Sequence, residues 1–353
     1  MLSDIALVIP ALIVMLGTLI FFHELGHFTV AKLLRIRVEE FAFGFGPKWI
    51  RLFKRGGTEY TIHPVPLGGF VKLAGMEPGQ ENVPNGFQSK PWWSRLAVYL
   101  AGPFMSFVLA YLVFCALGFT VGLPITGEAI NSVDLVFPGT EAERVGLKSG
   151  DLIVSINGER IDSGREMLGI VHGSPNKQLV IIVGRNGRYV PMRATPEATE
   201  VEKGKVIGLL GFTPKQRLQR VGLMESIHYG NQATLIFVTT ILRVLPSREV
   251  KDAVGGPLAI ADATLNSVKS GPYRYLQLVG ILSLSLAVVN MLPIPVVDGG
   301  QAMLLLVEAI KRRRLSPRTW EVAQRIGLTV IAIIFLLIMY LDLSRIASNK
   351  LFR

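Results

Sequence analysis

The sequence predicts a polytopic α-helical membrane protein of about four transmembrane helices, with a small membrane-associated β-hairpin sheet after the first helix and an inserted extracytoplasmic α+β domain after the second. Three observations predict it. Half of the 353 residues are hydrophobic and only 18% are charged, against roughly 25% in soluble domains. Uncharged runs of 18, 28, 23 and 16 residues occupy positions 5–22, 96–123, 275–297 and 326–341, lengths that cross all or most of a bilayer core. Lys and Arg gather in short segments beside these runs, the pattern that orients helices in a membrane. The net charge of +11 therefore reads as topology, and the chain is not expected to bind nucleic acid. A single cysteine, Cys115, excludes an intrachain disulfide and a cysteine-based metal site.

Residues 1–34 make the first helix. It begins Met1-Leu2-Ser3-Asp4 and ends in bulky phenylalanines, without the basic start or small-residue cleavage site of a signal peptide, so it is expected to be retained. Residues 35–95 carry nine Lys or Arg against five Asp or Glu, which assigns them to the cytoplasm. There Phe41-Ala42-Phe43-Gly44-Phe45-Gly46-Pro47 and Glu59-Tyr60-Thr61-Ile62-His63, divided by Arg55-Gly56-Gly57, read as a hairpin. A second turn, Pro66-Leu67-Gly68-Gly69, precedes Phe70-Val71-Lys72-Leu73. This sheet is apolar enough to dip into the membrane, the alternative being a soluble hairpin.

Residues 96–123 form the second helix, and the composition then turns soluble. Residues 213–274 read as a basic linker (Lys215, Arg217, Arg220) and an amphipathic helix over 231–242, whose 12 uncharged residues are too few to span. The third helix, 275–300, returns the chain inward; residues 301–325, with Lys311-Arg312-Arg313-Arg314, are a cytoplasmic basic segment. The fourth helix, 326–343, leads to an outer tail containing Arg345, Lys350 and Arg353.

The first helix holds the chemistry: Phe22-His23-Glu24-Leu25-Gly26-His27-Phe28. At 3.6 residues per turn, His23 and His27 lie on nearly one face and can bind one ion. Glu24 sits beside it, the His-Glu-x-x-His arrangement of zinc hydrolases. Charge-derived topology places the inner end of the third helix at the same depth. There Asn290-Met291-Leu292-Pro293-Ile294-Pro295-Val296-Val297-Asp298-Gly299-Gly300 breaks its own helix at two prolines. Asp298 is thus a candidate third ligand, or a helix-capping aspartate at the membrane edge. His63, His172 and His228 read as structural or surface histidines, with His63 in the apolar hairpin left open as a ligand.

Two resemblances add to this reading. Val145-Gly146-Leu147-Lys148-Ser149-Gly150-Asp151, the strand 152–156 and the Asn157-Gly158 turn resemble a PDZ domain, placed at 127–212 with a helix over 167–171 and a hairpin around Asn186-Gly187. Such a domain captures extended peptides or limits access, or else is a spacer. The two metal motifs, with Pro66-Leu67-Gly68-Gly69-Phe70-Val71-Lys72, Ala101-Gly102-Pro103 and the PDZ-like region, resemble the bacterial site-2 protease family in its regulator-of-sigma-E (RseP) branch over nearly the whole chain. The resemblance implies one Zn2+ held by His23, His27 and Asp298, Glu24 as the catalytic acid/base, and Asn290 with the Pro293/Pro295 break holding substrate. A helical substrate must unwind to be cut, and the strand through Val71 and Lys72 is expected to hold the unwound segment by edge pairing. The chain departs from the family's pattern at Ser106, usually an asparagine, and in having one PDZ domain.

The expected activity is hydrolysis of a peptide bond in the transmembrane segment of a single-pass regulatory protein, such as an anti-sigma factor, or of a signal-peptide remnant. The expected location is the bacterial inner membrane, with lipid as partner, both termini and the PDZ domain extracytoplasmic, and the active site toward the cytoplasm. Two other classes fit parts of the pattern: a divalent-metal transporter, which has no need of Glu24 or of a PDZ domain, and a PDZ-bearing membrane adaptor with an inactive metal site.

Overall fold

The structure, a computed structural model, describes residues 2–347 apart from 78, 138, 203–204, 245 and 248–254; Lys350 and Arg353 of the expected tail lie outside the described residues. The chain divides into two compact units, one of Met1–Cys115, Tyr229–Val254 and Leu276–Met339, the other of Ala116–His228, Gly255–Tyr275 and Tyr340–Arg353.

The first unit is built on α1 (Leu2–Leu33) and α2 (Trp92–Ala116). Both keep an interior proline, Pro10 and Pro103, which apolar spanning helices tolerate. They meet closely because Gly26 has no side chain: a Cβ there would lie 2.8 Å from Met105 Cβ and overlap the Ala101 carbonyl. Between the two helices lie β1 (Val38–Phe45), β2 (Ile50–Arg55), β3 (Thr58–Ile62) and β4 (Val65–Leu73), in the order β2-β3-β1-β4. The hairpin at Gly56-Gly57 joins β2 to β3, with Lys54 opposite Glu59, so the expected pairing of β1 with β3 across that turn is corrected. β1 lies parallel to β3 (Phe41 beside Tyr60) and antiparallel to β4 (Phe41 opposite Val71). The intervening strand reverses the chain once more than the sequence reading allowed. Phe41 and Tyr60 pack on α1 through Phe28, at ring-centroid distances of 5.3 and 6.0 Å.

Among the described residues, four helices are long and apolar enough to cross a membrane: α1, α2 with the π-helical turn Leu117–Val121 that extends it, α7 (Pro272–Asn290) and α9 (Pro317–Ala347). Between α7 and α9 runs α8 (Asp298–Lys311), so part of the expected basic segment is helical.

The second unit centres on a six-stranded sheet, β12-β5-β6-β8-β9 with β7 paired to β6. Its strands are β5 (Leu123–Val136), β6 (Leu152–Ile156), β7 (Glu159–Arg160), β8 (Leu179–Arg185), β9 (Arg188–Ala194) and β12 (Phe212–Gln219). Helices α3 (Glu141–Arg144) and α4 (Gly164–His172) and the hairpin β10 (Glu197–Glu202) to β11 (Lys205–Leu209) complete it. Val133, Ile153, Ile156, Met167, Ile181 and Val183 form its core. Asn157-Gly158 and Asn186-Gly187 each carry two positive φ angles, the turn geometry that joins twisted strands. Buried Asp151 accepts from Arg185 Nε at 2.7 Å and from the Lys148 main chain at 2.7 Å.

Residues read as a basic linker lie on β12: Gln216 pairs with Ala129 of β5. As an edge strand, β12 exposes Lys215 and Arg217 and admits Pro214, which a central strand would exclude. An amphipathic α5 (Leu223–Val244) and an α6 (Pro257–Ser270) follow. Asp342, fully buried, caps α6 from a distance by accepting the Gly256, Leu258 and Ala259 N–H groups at 3.0–3.1 Å.

Candidate metal centre and active site

One turn apart on α1, His23 and His27 aim their Nε2 atoms at a common point, 3.4 Å from each other. Asp298, the first residue of α8, brings Oδ2 to 3.1 Å from His23 Nε2 and 3.4 Å from His27 Nε2. Among the described residues this is the one group of three or more His, Cys, Asp or Glu side chains whose ligand atoms lie within 4.8 Å of one another.

The other ring nitrogens decide what these three can hold. His27 Nδ1 lies 2.7 Å from the Val98 carbonyl oxygen; a carbonyl only accepts, so Nδ1 carries the proton and Nε2 offers its lone pair. His23 Nδ1 lies 3.0 Å from Ser106 Oγ. Ser106 is fully buried, and its own carbonyl accepts from Ser283 Oγ at 2.7 Å. This is the outer-shell support that metal-binding histidines require. Gly102 leaves the space above the rings: a Cβ there would lie 2.6 Å from His27 Cε1 and 2.8 Å from His23 Cε1. Two imidazoles and one carboxylate fit a single zinc ion with an open fourth position.

Val98, Gly102 and Ser106 follow one another at four-residue steps, so a single face of α2 supports both rings. Sequence reasoning registered Gly102 within the Ala101-Gly102-Pro103 motif and Ser106 as a departure from a family pattern; the helical spacing was legible, but what that face met was not. Ser106→Ala is expected to leave His23 Nδ1 without a partner in a buried place and to weaken metal binding by about 10–100-fold with the fold retained. Competition against a chromophoric chelator measures this, and unchanged affinity would show that Ser106 does not support the ring.

Asp298 reaches the histidines because the chain breaks before it. Residues 291–297 are irregular, held by Ile294 N–H to Leu292 O at 2.8 Å, Val297 N–H to Ile294 O at 3.0 Å, and Gln301 Nε2 to Pro295 O at 2.8 Å. Gly299 and Gly300 let α8 start directly against this segment; a Cβ on Gly299 would come 2.7 Å from Leu292 O, and one on Gly300 2.5 Å from Pro295 N. Val297 holds the capping position, so Asp298 is free to turn to the imidazoles.

Glu24 is half-buried beside the cluster, next to β4: a Cβ on Gly69 would lie 3.3 Å from Glu24 Cγ, and the Val71 main chain interacts with the Glu24 carboxyl. Lys72 points away, exposed, with Nζ 3.7 Å from Glu39 Oε2. Asn290 closes α7 half-buried; Pro293 is exposed and Pro295 half-buried in the break. His63 belongs to the sheet and not to the cluster: its Nδ1 donates to Gly46 O at 2.8 Å and its Nε2 faces Thr61 Oγ1 at 3.2 Å and Glu40 at 3.4 Å. Burial pushes the Glu40 carboxyl up, but hydrogen bonds from Thr61 and His63 and the Lys48 charge hold it below the ordinary carboxylate range.

Two solved PDZ domains, from the SdrC-like proteins of Listeria monocytogenes and Listeria innocua, align with 26% of this chain and 93% and 99% of theirs, at 22% and 19% identity and a TM-score of 0.21. The regulator of sigma-W protease RasP of Bacillus subtilis is 29% identical over 95% of this chain and 98% of that protein. A putative zinc metalloprotease of Campylobacter jejuni is 31% identical over 96% and 94%, and one of Rhizobium meliloti 30% identical over 98% of both. Residues 11–334 match peptidase family M50, and the chain belongs to that family.

Proposed function

We propose that this protein hydrolyses a peptide bond inside the transmembrane segment of a single-pass, membrane-anchored protein, such as an anti-sigma factor or a signal-peptide remnant. The observation that carries the reading is the convergence of His23, His27 and Asp298 beside Glu24, on a helix apolar enough to span a bilayer. The protein is a zinc metalloprotease of the site-2 type, with His23, His27 and Asp298 as the zinc ligands; relatives in the same family are named as zinc metalloproteases.

Bound zinc supplies Lewis-acid chemistry, polarising a carbonyl and bringing the pKa of a water toward about 7. The chain's own residues do the rest. Glu24 takes a proton from the attacking water and returns it to the leaving amine nitrogen. The Val98 carbonyl accepts the His27 Nδ1 proton and Ser106 Oγ bonds His23 Nδ1, so both rings stay oriented. A helical substrate must unwind before its carbonyl is accessible. Among the described residues β4 pairs on one side only, with β1, and its open edge beside Glu24 takes the unwound strand by main-chain pairing through Val71 and Lys72. Asn290 and the Pro293/Pro295 break hold the substrate from α7. The PDZ domain, extracytoplasmic with both termini, captures a peptide or limits access, and the metal centre lies toward the cytoplasmic side of the inner membrane.

Cleavage of a model single-pass substrate by the purified protein tests this reading. The product masses are expected to place the cut within the apolar segment, with activity lost on chelation and restored by zinc. Metal flux in proteoliposomes without any cleavage would replace the reading with a transporter.

A further inference from the structure

Arg95 and Glu308 form an ion pair that the chemistry above does not use. Each is 5% exposed, and Arg95 Nη2 lies 3.0 Å from Glu308 Oε2. Arg95 Nη1 donates to Gln88 Oε1 at 2.8 Å. Glu308 Oε1 accepts from the Leu315 main chain at 3.0 Å and the Trp320 indole at 3.2 Å. Arg314 donates to the Gln88 carbonyl at 2.7 Å and pairs with Glu81 at 2.7 Å. The first turn of α2, the last turn of α8 and the first turn of α9 are thereby tied together.

Stability alone does not explain this pair. Removing two charges from water costs about as much as their attraction returns, and the geometry is imperfect: Arg95 Nε and Glu308 Oε2 have no aligned hydrogen-bond partner. A buried pair of this kind is best suited to setting register, because the charges meet at only one axial position of the helices. Arg95 lies three residues before Val98 and so extends the face of α2 that carries Val98, Gly102 and Ser106 against the two histidines. Glu308 lies ten residues after Asp298 on α8, about 15 Å along a stiff helix. Between them Ala302 and Leu305 pack in one apolar cluster with Val98 and Tyr99, contacts that are non-directional and tolerate sliding. A slip of one residue moves Asp298 by about 1.5 Å, whereas a metal site tolerates about 0.2 Å.

We propose that Arg95 and Glu308 are a positioning pair that sets the register of α8 along α2 and so holds Asp298 level with His23 and His27. This rests on the zinc-site reading above. The test uses two variants of the full chain: Glu308→Gln, which keeps an acceptor for Leu315 and Trp320, and the double variant Arg95→Met/Glu308→Gln, which removes both charges. Zinc affinity is read by chelator competition and ligand geometry by the visible spectrum of bound Co2+. Both variants are expected to bind zinc at least about tenfold more weakly with altered Co2+ bands, while the metal-free double variant, which leaves no unpaired buried charge, melts near the wild-type temperature.

Native affinity with a native Co2+ spectrum in both variants would overturn the proposal. So would an equal loss of affinity in Leu284→Ala, a fully buried residue of α7 that serves as a control for general destabilisation. Asp298→Ala measured in parallel separates the two readings. If it keeps its zinc, the ligand assignment fails; if it loses zinc while both pair variants bind normally, only the positioning role fails.

Discussion

Glu24→Gln is expected to abolish peptide cleavage while zinc stays bound. The amide has the shape of the carboxylate but cannot take the proton of the attacking water, and losing a general base costs about 10²–10⁴ in rate. Zinc binding is expected to survive because the proposed ligand atoms come from His23, His27 and Asp298, and because the Nδ1 bonds to Val98 and Ser106 do not involve Glu24. Metal analysis of the purified variant, beside single-turnover cleavage of a single-pass substrate, reads both quantities. A variant that cuts within a few-fold of the wild type would remove Glu24 from the mechanism, and a variant that loses its zinc would make Glu24 part of the metal site.

Asp298→Ala is expected to lower zinc occupancy more than any outer-shell change, by well over 100-fold in affinity, since it removes one of three ligands where an outer-shell partner contributes about 10–100-fold. The fold is expected to persist. Asp298 opens α8, and losing a negative charge at a helix N-terminus costs only about 0.3–1 kcal/mol. Equilibrium dialysis against zinc, with circular dichroism as the check on helix content, measures the two effects separately. Full occupancy at native affinity would show that the carboxylate approaches the imidazoles without serving as a ligand.

The two variants divide the site along a physical line. In the proposed mechanism Glu24 handles a proton and touches no metal, and Asp298 touches metal and handles no proton. Ser106 stands behind both predictions, because a His23 ring free to rotate would weaken the metal site whatever the state of Asp298.

Much of this was legible in the residues. His23 and His27 are a local pair, and any α-helix through them puts both on one face. The four apolar runs are local as well, since length and the absence of charge are properties of a stretch and not of its neighbours. The Asn157-Gly158 and Asn186-Gly187 turns need only their own backbone. Even Asp298 was within reach, because charge asymmetry reports depth and the prolines at 293 and 295 report a broken helix.

Other features depended on partners far away in the chain. β1 pairs in parallel with β3 because β2 takes the hairpin, and no alternation within β1 announces its neighbour. β12 reads as a basic linker because an edge strand bearing Lys215, Pro214 and Arg217 lacks the pattern of a buried strand. The face of α2 through Arg95, Val98, Gly102 and Ser106 has helical spacing, but its meaning is the two imidazoles and Glu308 that it meets. By itself the sequence determined the helix that carries His23, Glu24 and His27, the number of apolar spans and the tight turns, all matters of local periodicity and backbone preference. Only the tertiary structure decided strand order, the bonds that orient the two histidines and the buried pair between α2 and α8, because these arise where segments distant in sequence exclude water together.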